Sequence, residues 1–136
     1  MVKKVVLAMV AVFVLCSVLD FVMHNVLLAS TYEATAELWR RMEEMKIGLM
    51  YVITAVWSCV FVLIYALLVR PRSVGAGLVY GLLFGLATGI GMGFGSYCYT
   101  PIPLFLAVAW CVGTLIEVVV AGIVAALIIG PSKPKA

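Results

Sequence analysis

The chain has 136 residues, 66% of them hydrophobic and 11% charged, with a formal net charge of +3. A soluble domain of this length has no use for so much apolar surface. The basic residues sit at the ends of apolar runs rather than in one patch, which speaks for membrane orientation and against a nucleic-acid partner.

Runs of about 20 apolar residues cross a bilayer, and four fit: 5–29, 47–69, 74–96 and 104–129. The expected fold class is therefore all-α, an integral membrane four-helix bundle forming a single domain over 1–136, with a short amphipathic interfacial helix between its first and second spans. Lys3 and Lys4 before the first apolar run imitate a signal peptide, and Ala34-Thr35-Ala36 offers a small-x-small cleavage site. The run is too long for a signal peptide and the site lies beyond a polar stretch, so an uncleaved first span is expected. Cys16, Cys59, Cys98 and Cys111 form no CxxC pair, and the three inside apolar spans read as small hydrophobes.

The first span carries Ser17, Asp20 and His24 on one face, because residues three, four and seven apart stack on a helix; Asn25 points elsewhere. The segment 30–46 has helical spacing of Tyr32, Ala36, Trp39 and Met42, with Glu33, Glu37, Arg40, Arg41 and Glu44 opposite. That pattern suits a helix lying in the membrane interface, with Ser30 to Glu33 as a capping box. Tyr32, Trp39 and Arg40 are its expected interface anchors, joined by Tyr97 and Tyr99 in the loop before Pro101 and Pro103.

Lys3, Lys4, Arg70, Arg72, Lys133 and Lys135 fall on one side of the predicted membrane, against Arg40, Arg41 and Lys46 on the other, where four glutamates offset them. Basic residues favour the cytoplasm, so both termini are expected inside and the segment 30–46 outside.

In the third span Gly77, Gly81, Gly85, Gly89 and Gly93 recur at every fourth residue. Glycine lets membrane helices approach closely. A four-residue step overshoots a turn by about 40°, so the row slants round its helix and is expected to serve two neighbours. It would let the first and fourth spans approach closely. The fourth span has its own small-residue ridge, Gly113, Glu117, Ala121 and Ala125, which places the glutamate toward another helix.

Asp20, His24 and Glu117 are the ionisable residues inside the spans, tyrosines and cysteines aside. They are the candidate proton or cation site, with Ser17, Thr54, Ser58 and Thr88 as a supporting polar layer at similar depth. The spans hold no lysine or arginine, so a buried carboxylate there either takes a proton or binds a cation. No cofactor is expected. Ligation of a divalent metal by Asp20, His24 and Glu117, or of a haem by His24, is the alternative, although no signature such as HExxH or CxxCH is present. Purely structural hydrogen bonding by these acids is the plainest reading.

The stretch from Asp20 to Leu28, Tyr32-Glu33, Leu38-Trp39-Arg40, the glycine run from Phe84 to Tyr97, Trp110 and Glu117 together resemble small bacterial four-span membrane proteins with no assigned activity. The resemblance implies the fold and a bacterial inner-membrane location, and nothing catalytic. Small multidrug-resistance exporters share the size and span count, but their essential glutamate lies in the first span, where this chain has Asp20. Two functions are expected from the chain: a small permease handling protons or cations, as a dimer, or a non-catalytic accessory subunit packed into a larger membrane complex. No nucleophile–base motif or phosphate loop points to an enzyme.

Overall fold

A computed structural model describes residues 1–131; Lys133 and Lys135 lie outside them. The described residues form helices without strands: α1 (Val2–Val22), α2 (Ala29–Ala34), α3 (Ile47–Leu68), α4 (Val74–Ile90), α5 (Ser96–Tyr99) and α6 (Leu104–Ile129). Two π turns, Met23–Leu27 and Gly91–Gly95, extend α1 and α4. With them there are four helices long and apolar enough to cross a membrane, Val2–Leu27, Ile47–Leu68, Val74–Tyr99 and Leu104–Ile129. This is an all-α, multi-pass membrane bundle. The first span starts three residues before its expected limit and ends two before it, and the third runs on past 96 to Tyr99, because its π turn leads into α5.

The bundle is built on α6. α4 packs along most of it, α1 packs on both α6 and α3, and α3 touches α6 only lightly. The apolar effect between helices is weak in lipid, so close packing has to hold them together. Each glycine of the row meets α6: Gly77 faces Gly122 and Ala126, Gly81 faces Val118 and Val119, Gly85 faces Leu115 and Val118, Gly89 faces Cys111, and Gly93 faces Ala107 and Cys111. The row therefore serves one neighbour, not two. Its partner positions on α6 also advance by four or three residues, so the two slanted ridges follow each other. The π turn at Gly91–Gly95 holds more residues per turn and takes back part of the rotation that the four-residue steps accumulate. The fourth span's other ridge faces α1, with Gly113 against the Met23 thioether.

α3 is attached differently. Trp57, Phe61 and Tyr65 of α3 interleave with Tyr80 and Phe84 of α4, with ring centroids 4.6–6.0 Å apart. The Tyr80 hydroxyl donates to the Phe61 carbonyl at 2.8 Å. Its first two turns, 47–53, are exposed all round.

The connection 69–73 is short and ordered. Arg70 and Arg72 each donate to the Ala66 carbonyl at 2.9 Å, meeting orphan acceptors at the end of α3. Ser73 caps α4 by accepting from the Ala76 N–H at 3.0 Å. α1 begins and α6 stops at this same terminal end of the bundle, where Gly130 lies near Lys4.

The interfacial helix expected over 30–46 is mostly not helical. Only Ala29–Ala34 is α-helix, followed by single 3-10 turns at Ala36–Leu38 and Met42–Glu44. The capping box does not form, because the helix starts after Leu28 and Ser30 is already inside it. Tyr32 and Trp39 also differ from lipid-facing anchors: both turn back onto the bundle and pack against the buried Leu28, Ile102, Leu106 and Ala107. Arg40, Tyr97 and Tyr99 are exposed.

Candidate functional site

The two intramembrane acids meet. The Glu117 carboxyl of α6 lies within hydrogen-bonding reach of the Asp20 carboxyl and the Cys16 thiol of α1. Cys16 and Asp20 are four residues apart and so share one helix face. Two carboxyl oxygens make such a bond only with a proton between them, since a bare carboxylate has no donor. The thiol can donate the second bond.

One further turn along the same face brings His24. Its Nε2 lies 4.0 Å from Asp20 Oδ1. The π turn that begins at Met23 closes through a bond from the Leu28 N–H to the Met23 carbonyl at 2.9 Å. Turns of this kind recur at functional positions; here it delivers the chain into α2 so that Tyr32 comes back over the histidine. The Tyr32 hydroxyl is 2.5 Å from His24 Nδ1, and Trp110 Nε1 of α6 donates to the same oxygen at 2.8 Å. Trp39 packs edge-on against Tyr32, centroids 5.3 Å apart, and donates its Nε1 proton to Thr35 at 2.9 Å. Burial holds the Tyr32 hydroxyl protonated above its usual range, while the bond from Trp110 works weakly the other way.

The outcome is a line of polar side chains, Cys16, Glu117, Asp20, His24, Tyr32 and Trp110, from the bundle interior to the far end, opposite the termini. The side chains of His24 and Asp20 remain 34% and 43% exposed, so the line is not sealed inside the bundle. In the terminal half, the facing positions are apolar and closed: Ala8, Val12, Val62, Ala121 and Ala125 are fully buried. The polar line stops where this core begins.

Of the expected site residues, the structure brings together Asp20, His24 and Glu117. The supporting layer does not join them as a network. Thr54 and Thr88 bond to the Met50 and Phe84 carbonyls of their own helices, at 3.1 and 2.8 Å. The hydroxyls of Ser17 and Ser58 are buried without a hydrogen-bond partner. Among the described residues there is no group of three histidine, cysteine or acidic side chains arranged to hold a metal ion, and His24 Nδ1 is already engaged by Tyr32.

Three members of the line were missed as site residues. Cys16 reads as a small hydrophobe, although the step Cys16–Asp20–His24 is a regular four-residue ridge. Tyr32 reads as an anchor. Trp110 stands seven residues before Glu117 with Gly113 between them, a single helix face that the small-residue pattern obscured.

Compared with protein-family models, with characterised proteins and with solved structures, the chain matches none.

Proposed function

We propose that this chain handles protons, or a monovalent cation in their place, as a small permease-type protein of the bacterial inner membrane. The observation that supports this reading is the Asp20–Glu117 carboxyl pair, close enough to share a proton and continued by His24 toward one end. Lys3 and Lys4, the lysines inside the spans, lie at the terminal end of α1, about four turns from Asp20, and ionisable groups in this setting mark proton and ion pathways. A carboxyl pair that shares one proton can take a second, becoming neutral, and give it up again, while repulsion between like charges keeps the last proton in place. The imidazole beside it titrates nearest to neutrality among side chains.

The location and orientation belong to the same proposal. The terminal end carries Lys3, Lys4, Arg70 and Arg72 and, counted from sequence, Lys133 and Lys135. By the positive-inside rule that end faces the cytoplasm and His24 faces outward. The likeness to small bacterial four-span proteins supports the location.

The test is proton flux into proteoliposomes under an imposed gradient, repeated with sodium and potassium. Asp20→Asn and Glu117→Gln are each expected to lower the flux at least about 10-fold, the scale of losing one proton-transfer group. Flux that neither substitution changes, or no flux of any of the three ions through the unaltered protein, overturns the proposal.

A second reading is a non-catalytic subunit of a larger membrane complex or a homo-oligomer. The partial exposure of Asp20 and His24 favours it, because a protein neighbour would satisfy these groups better than lipid. A native-mass measurement in mild detergent that finds only the monomer removes this reading.

A further inference from the structure

The hydrogen bonds at the far end bear on which ring nitrogen of His24 carries a proton. Trp110 Nε1–H is a donor only. At 2.8 Å from the Tyr32 hydroxyl, it must give its proton to the Tyr32 oxygen. That bond occupies one of the oxygen's two lone pairs and leaves the Tyr32 O–H to point elsewhere. The neighbour at 2.5 Å is His24 Nδ1. With the hydroxyl donating, Nδ1 accepts and is unprotonated. A neutral imidazole then carries its proton on Nε2, the nitrogen that faces Asp20.

We infer that Tyr32, oriented by Trp110, is a positioning residue that holds His24 as the neutral Nε2–H tautomer, with an unprotonated Nδ1 that accepts from Tyr32 toward the far end and a donor toward the acid pair. The use of this arrangement as a directed entry rests on the proton-handling reading; the tautomer itself does not.

The groups that face His24 are few. Asp20 comes from its own helix, with Glu117 of α6 and Cys16 of α1 behind it; Tyr32 comes from α2 and Trp110 from α6. Trp39 closes the cluster by packing on Tyr32 and Trp110, whose ring centroids lie 5.3 and 6.0 Å away. None of these rings can replace the Tyr32 hydroxyl as the donor to Nδ1. The indole of Trp110 already spends its single proton on Tyr32.

The proton step balances within this set. Water at the far end delivers a proton to the free lone pair of Tyr32, forming a new O–H bond. The existing Tyr32 O–H bond breaks and its proton joins His24 Nδ1. The Nε2–H bond then breaks and passes its proton to the Asp20 carboxylate. Tyr32 and His24 end with the proton count they began with, and the acid pair has gained one. The ring is left in the Nδ1–H tautomer and returns to Nε2–H by giving the Nδ1 proton to water and taking one from water at Nε2, which leaves its proton count unchanged. The 4.0 Å between Nε2 and Asp20 exceeds a hydrogen bond, so the second transfer needs a side-chain movement and the first does not.

His24 is the chain's single histidine, which makes the tautomer readable. The full-length protein, labelled with 15N-histidine and reconstituted in liposomes, is examined by solid-state NMR at about pH 8, above the ordinary histidine pKa of about 6.5. The unaltered protein is expected to show one protonated and one unprotonated ring nitrogen, with Nε2 protonated. Tyr32→Phe keeps the ring and its packing, removes the hydroxyl, and is expected to lose the single-tautomer signal. Trp110→Phe is expected to weaken the preference without removing it. An Nδ1–H tautomer or an imidazolium in the unaltered protein overturns the assignment, as does an unchanged spectrum in Tyr32→Phe. Flux in proteoliposomes separates the two claims. The stated tautomer with no flux defeats the proton-handling proposal alone, and flux with the opposite tautomer defeats the positioning role alone.

Discussion

Gly81 has no side chain because α6 occupies the place where one would be. A Cβ there would lie 2.6 Å from the Val118 carbonyl oxygen and 2.8 Å from the Val119 Cα, both backbone atoms. Gly113 is crowded too, but by the Met23 thioether, the far end of a flexible side chain. Gly91 has open space at the same point. The three positions should therefore separate on substitution by alanine. Gly81→Ala forces two helices apart and is expected to cost about 1–3 kcal/mol, the range of overpacking. Gly113→Ala is expected to cost clearly less, since Met23 can turn aside. Gly91→Ala is expected to be neutral or stabilising, because alanine is the better helix former by up to about 1 kcal/mol. Unfolding of the purified protein in mixed micelles with rising dodecyl sulfate ranks the three; equal losses would mean that the seam between α4 and α6 does not carry the contact described.

Helices are joined in this bundle by two different means, and each has its own weak point. α4 and α6 meet through backbone at glycine, whereas α3 reaches α4 only through large rings. Phe61, 1% exposed, stands at the middle of that stack. Phe61→Ala is expected to destabilise by about 3–5 kcal/mol and to release α3 selectively, read as faster labelling of Cys59 on that helix by a thiol reagent. Tyr80→Phe keeps the stack and loses one hydrogen bond, about 1 kcal/mol, with Cys59 labelling near its starting rate. If both variants label Cys59 equally, the rings are not what fastens α3.

The same contrast explains what could be read ahead of the structure at this scale. Four apolar runs and a glycine row are periodic, local signals, and they located the spans and the face that packs. The direction of the row could not be judged without the π turn at Gly91–Gly95, since nothing in the residues Gly-Met-Gly-Phe-Gly distinguishes a π turn from an α turn. The segment 30–46 misled for a related reason: its helical spacing is real, but Tyr32 and Trp39 fold back on Trp110, a contact set by tertiary packing. Asp20, His24 and Glu117 stood out because charge is rare in these spans. Their meeting depended on the contact of the first helix with the last, which only tertiary packing decides.

The molecule as a whole is divided across its length. Its terminal half is a closed apolar core with arginines tied to the end of α3; its far half carries the polar line and the aromatic cluster. In the orientation we propose, Cys98, exposed beside the far-end loop, faces out of the cytoplasm. A membrane-impermeant maleimide applied to intact spheroplasts is expected to label Cys98 and to spare the buried Cys16, and Cys98→Ser is expected to remove the label. Labelling of Cys98 only after the membrane is opened would reverse the orientation.

The meeting of Asp20 and Glu117 also sets an order of events during synthesis. Asp20 leaves the ribosome 97 residues before Glu117 (117 minus 20), roughly 5–20 s at the usual rate of translation. In that interval the first helix must enter the bilayer with an acid that costs about 2.5–3.5 kcal/mol near the centre of a span, and with its partner not yet made. The long apolar run before Asp20 is what allows the helix to wait. A nascent chain stopped before its last helix would keep that acid unmatched in lipid, a mark by which a membrane protease could tell an unfinished copy from a complete one.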